Sequence, residues 1–140
     1  MLKLTRPPGV PTPMTKLSAP ARVAWDETLR EMAAAGVDPW PCDCFLIQTF
    51  AELCEEALEL ARLIRQHGFF CHSEGAGKEI SMENPAVDVL GESRALLATY
   101  SRDLMLPLAA VRRILTTVSG DAPIAEIVLS GDLRKRNPPN

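Results

Sequence analysis

A break in helical patterning between Gly68 and Pro85 constrains this chain more than any other feature. On either side, apolar residues recur three and four apart, as they do along one face of a helix; between Gly68 and Pro85 that spacing is lost. A glycine such as Gly68 admits the positive φ that closes a helix, and His67 before it suits the negative end of the helix dipole. Phe69 to His72 and Lys78 to Met82 have strand-like composition, and Glu74-Gly75-Ala76-Gly77 between them reads as a turn. Asn84 then fits an N-cap and Pro85 the first helical position, where its missing N–H costs nothing. The segment therefore predicts helix stop, hairpin, helix start. An isolated two-stranded hairpin is marginally stable in water, so this one is expected to lean on a helix or on another subunit.

The flanking segments predict a mainly α fold. From Pro20 to Ala35, Ala21, Trp25, Leu29 and Met32 hold helical spacing, with Gly36 as the stop. After Asp38-Pro39-Trp40-Pro41, residues 43 to 67 form a long second helix, with Leu46, Phe50, Leu53, Ala57, Leu60 and Ile64 along one face and Ile47, Cys54, Leu58 and Ala61 widening it. A third runs from about Pro85 to Met105 on a seam of Ala86, Leu90, Ser93, Leu97, Tyr100 and Leu104. Pro107 interrupts it, and Leu108 to Thr116 restarts a short helix. Pro123 to Leu129 is apolar but too short to assign to helix or strand. Three units follow: a flexible, proline-rich basic arm over residues 1–17, a helical core over 18–116 with its hairpin at 69–82, and a C-terminal segment with a basic tail over 117–140.

A chain of 140 residues with 46% hydrophobic and 24% charged residues suits one ordinary core. No run of about 18 apolar residues appears and the first twenty residues lack a signal-peptide pattern, so a soluble, cytoplasmic protein is expected, with no membrane partner. Cys42, Cys44, Cys54 and Cys71 lack paired CxxC spacing, which argues against a metal. Gly77-Lys78 invites a phosphate-loop reading, but that pattern needs glycine where His72 stands and Ser or Thr where Glu79 stands. Ser73, Ser81 and Ser93 lie in no nucleophile-elbow context. Glu52, Glu55, Glu56 and Glu59 read as a solvated face, since nothing near them in sequence would desolvate a carboxylate for acid–base work. The expectation is a non-enzyme without cofactor.

The order of Leu17-Ser18-Ala19-Pro20-Ala21-x-x-x-Trp25, the long helix ending at glycine, the Gly-rich insert, Asn84-Pro85-Ala86, and Leu104-Met105-Leu106-Pro107 leading into Arg112-Arg113 resembles the small terminase subunits of tailed phages, over about residues 16 to 116. Where that family typically has a glycine, this chain carries Met105, its proline sits one place early, and Val111 stands where an arginine is common. The resemblance implies a subunit of an oligomeric ring that binds viral double-stranded DNA and passes it to the large terminase subunit, the ATPase and nuclease of genome packaging. Cations for phosphate contact would be Lys3, Arg6, Lys16, Arg22 and Arg30 toward one end and Arg112, Arg113, Arg134, Lys135 and Arg136 toward the other. The same residues have structural readings: Arg22, Asp26 and Arg30 as an ion-pair ladder, Arg112 and Arg113 as helix caps, the terminal run as a solubilising tail. Ile124, Ile127, Val128 and Leu129 are candidates for docking the large subunit. A small helical DNA-binding regulator and a purely structural helical adaptor are the alternatives.

Overall fold

The computed structural model describes residues 10–75 and 78–130, and side chains there apart from those of residues 71–81. It is mainly helical: α1 (Ala19–Ala34), a single 3-10 turn (Pro41–Asp43), α2 (Cys44–His67), two strands β1 (Phe70–Gly75) and β2 (Lys78–Glu83), α3 (Pro85–Asp103), α4 (Leu108–Ser119) and α5 (Ala122–Ser130). The centre is α2, against which α1, α3 and α5 pack, while α4 closes the far side between α1 and α5. Its central position follows from its sequence. Ile47, Phe50, Leu53, Leu58 and Ile64 are buried, and Ala51, Ala57 and Ala61 among them let neighbouring helices approach closely. Trp25 and Met32 of α1, Leu90 and Leu97 of α3, and Ile114 and Leu115 of α4 complete the core.

Both expected unit boundaries change. The apolar run after Gly120 is a helix, started by Asp121 Oδ1, which accepts a hydrogen bond from the Ile124 N–H at 3.3 Å. Ile124, Ala125, Ile127 and Val128 are buried within the same core as α2 and α4, so the folded unit extends to Ser130 rather than ending at 116. Docking residues must be free to dock, and Ile124, Ile127 and Val128 are not; Leu129 is half-buried against the same core. The other change is at the arm. Of residues 1–17, those from 10 onward lie against the bundle: Pro11 is buried, Leu17 packs on the core, and Gln48 of α2 accepts from the Met14 N–H at 2.8 Å while donating to Thr15 Oγ1 at 2.6 Å. Gln48 is a buried polar group, and these bonds, with one to Glu52 at 3.2 Å, offset the cost of removing it from water.

At the insert, α2 ends on Gly68 at φ 84° and ψ 173°, a positive-φ but extended conformation rather than the compact left-handed one. Phe70 pairs with Glu83 and Gly75 with Lys78 in an antiparallel ladder. The turn residues Ala76 and Gly77 fall outside the described residues. Asn84 clamps the base of the insert: its Oδ1 caps α3 by accepting from the Ala86 N–H at 3.1 Å, its Nδ2 donates to the Gly68 carbonyl at 2.9 Å, and its own N–H donates to the Phe69 carbonyl at 2.7 Å. Neither strand packs broadly on a helix, and Phe70 and Met82 remain exposed.

Two helices end in the same way. After α1, the Val37 N–H reaches the Met32 carbonyl at 2.8 Å and the Gly36 N–H the Ala33 carbonyl at 3.0 Å; after α3, the Leu106 N–H reaches the Ser101 carbonyl at 2.8 Å and the Met105 N–H the Arg102 carbonyl at 3.0 Å. Both are Schellman closures, with the residue after the cap at positive φ. At Gly36 (φ 75°) that conformation is free of side-chain strain, whereas at Met105 (φ 61°) a Cβ crowds the following carbonyl at a cost of about 1–2 kcal/mol.

Candidate nucleic-acid interface

Five arginines of the folded surface have carboxylate partners within the chain. On α1, Arg22 faces Asp26 at 3.4 Å, one helical turn on, and Arg30 pairs with Glu27 at 2.9 Å, not with Asp26 as a four-residue ladder would require. On α4, Arg112 and Arg113 cap no helix end. Arg112 Nε donates to Glu126 of α5 at 2.7 Å, and Arg113 grips Glu31 of α1 with Nε at 2.8 Å and Nη2 at 2.7 Å, a two-pronged pair that ties α4 to α1. The Arg113 guanidinium holds the Glu31 carboxyl below its ordinary range, its hydrogen bonds being the main cause and its charge a lesser one; that contact in turn raises Arg113. Arg65 near the end of α2 is likewise occupied, by Asp121 at 2.9 Å.

Of the ten residues expected to contact phosphate, Lys16 alone stands exposed and without an ion pair among the described residues. Lys3, Arg6, Arg134, Lys135 and Arg136 lie outside the described residues. Charge counts sharpen the division. Residues 1–9 and 131–140 hold five of the fifteen Lys and Arg but one of the eighteen Asp and Glu, so residues 10–130 carry ten bases against seventeen acids. A duplex approaching that folded body meets a net negative surface, to which Glu52, Glu56 and Glu59 on the exposed side of α2 contribute. Glu55 beside them accepts a short hydrogen bond from Ser18 Oγ, joining the acidic face to the start of α1.

Sequence spacing alone misses the Glu31–Arg113 and Arg65–Asp121 pairs, because they join residues far apart in the chain and no helical or strand period links them. Gln48 does leave a signal: it is a polar residue set directly among Ile47, Phe50 and Ala51 on the apolar side of α2.

Among the described residues, no group of three or more His, Cys, Asp or Glu side chains is placed to hold a metal ion. No helix there is long and apolar enough to cross a membrane. Cys54 is fully buried in the core, and burial pushes its thiol far above the ordinary range, so it is small packing material rather than a nucleophile. No family model, curated protein or solved structure matches the chain.

Proposed function

We propose that this chain is a DNA-recognising small subunit of a tailed-phage packaging terminase, assembling with copies of itself and delivering viral double-stranded DNA to the large subunit that carries the ATPase and nuclease. The observation that carries the reading is the ordered series from Leu17-Ser18-Ala19-Pro20 through the clamped insert at Asn84-Pro85 to Arg112-Arg113. The helical bundle with a projecting two-stranded insert is compatible with it. Within this reading the charge distribution favours phosphate neutralisation by Lys3, Arg6 and Lys16 at one end and Arg134, Lys135 and Arg136 at the other over the arginines of α1 and α4, which already have carboxylate partners. The large subunit then docks elsewhere than on Ile124, Ile127 and Val128, which are core residues.

The test is binding to a labelled duplex followed by anisotropy across a salt series. Each phosphate contact contributes about 0.9 to the slope of log affinity against log salt. Joint replacement of Lys3 and Arg6, or of Arg134, Lys135 and Arg136, by alanine is expected to flatten that slope by nearly the number of cations removed, while Arg112→Ala changes it little. No binding even in dilute buffer would overturn the DNA-binding reading and leave the structural adaptor.

A further inference from the structure

The α3–α4 corner carries both halves of a contact. Met105, at the Schellman position that glycine occupies at the end of α1, is 69% exposed, and Leu108 at the start of α4 is 61% exposed. Beside them α3, α4 and α5 enclose a groove of about 240 Å³, with Ala98, Leu108 and Leu129 on its walls, Val128 at its base and Arg94 at its edge. Arg94 donates from Nε to the Val128 carbonyl at 3.0 Å, which fixes the guanidinium, and its terminal nitrogens have no partner among the described residues. Two residues before the knob, Asp103 is exposed and has no ion pair among the described residues either.

We propose that this corner is the joint between copies of the chain: Met105 of one copy enters the α3–α4–α5 groove of the next, and Asp103 of the first pairs with Arg94 of the second. The groove is smaller than the roughly 300–1,000 Å³ of small-molecule sites and suits side chains instead. Its half-buried cation offers two terminal nitrogens, and Asp103, two residues before Met105, offers the complementary carboxylate. Met105 also gives the knob a reason to exist, since glycine would close α3 at lower cost and a methionine there adds only an outward apolar side chain. Knob and groove adjoin on one copy and share Leu108, so the contact is made either twice about a two-fold axis or once, head-to-tail, and in the second case it closes into a ring if the rotation permits. The proposal deepens the self-assembly in the reading above by naming its surface.

The experiment mixes two half-defective proteins without DNA and measures mass by light scattering after size exclusion. One has Asp103→Lys with Met105→Gly, which removes the knob; both changes favour a helix C-terminus, so it is expected to melt no lower than wild type. The other has Ala98→Trp, which fills the groove from an exposed helix position. Wild type is expected to assemble, each variant alone to run at the monomer mass of 15.3 kDa, and an equimolar mixture to give a 1:1 dimer through the one surviving knob and groove. Should Ala98→Trp fail to fold, Asp103→Arg combined with Arg94→Asp replaces it: each single change weakens assembly at least tenfold and the pair restores it. Wild type monomeric at every concentration, a knobless variant that assembles like wild type, or a mixture that stays monomeric overturns the joint. DNA plays no part in the assay, so its failure leaves the salt-series test standing, and the converse holds.

Discussion

The α1–α2 corner and the α3–α4 corner use one backbone motif to opposite ends. At the first, Gly36 closes the helix and the chain finishes the surface itself: Val10 and Pro11 lie with Leu29, Ala33 and Pro39 around a shallow hollow, and Gln48 pins the following residues to α2. At the second, Met105 closes the helix under strain, Leu108 follows it into solvent, and nothing in the described chain covers the groove beside them. Identical local hydrogen bonding therefore does not mean equal completion. One corner uses the residue that closes a helix at least strain and has the arm laid against it; the other uses a strained, exposed residue, and it is there that the proposed joint is placed.

Both corners rest on the same core, and the largest effect comes from opening that core behind the bare one. Ile124→Ala removes a fully buried side chain of α5 and is expected to cost about 2–5 kcal/mol, measured by urea unfolding. An unchanged midpoint would mean that α5 is not part of the folded unit. Next is Gly36→Val, where the space around the glycine is open and the whole penalty is backbone strain at φ 75°, about 1–3 kcal/mol. The reciprocal change at the other corner, Met105→Gly, should stabilise the monomer by about 0.5–1 kcal/mol, the relief of strain being partly offset by the added freedom of the unfolded chain. If both changes destabilise alike, the corners do not differ as described.

The smallest effect belongs to the tie between α4 and α1. Because Arg113 lowers the Glu31 carboxyl, the pair contributes stability that is present above the ordinary glutamate range and is lost as pH falls through the lowered value. Arg113→Ala should therefore melt slightly below wild type at neutral pH, and the two curves should converge in acid. A gap that persists in acid would assign the loss to packing of the arginine stem instead.

Helix positions were largely legible in the sequence because each carries its own period and its own punctuation. Ser18 accepts from the Ala21 N–H, Asn84 from the Ala86 N–H, and Gly36 and Gly68 end α1 and α2, all near the positions their residue types indicate. What escaped was long-range. The run around Ile124 is apolar apart from Glu126 and too short to reveal a period, so whether it faced this core or a partner depended on packing that no local pattern encodes. Likewise the arginines of α4 look like a DNA surface in sequence because their carboxylate partners, Glu126 of α5 and Glu31 of α1, come from other helices. The Schellman turn at Met105 was hidden for the opposite reason: its usual signal is a glycine, and the chain does not use one.

Sedimentation velocity of the wild-type chain over a wide concentration range tests most directly whether the bare corner joins copies. The account predicts discrete species at multiples of 15.3 kDa that disappear when Met105 becomes glycine and Asp103 lysine, with the monomer's melting temperature undiminished. A single monomeric boundary at all concentrations, or assembly indifferent to those two changes, would contradict it.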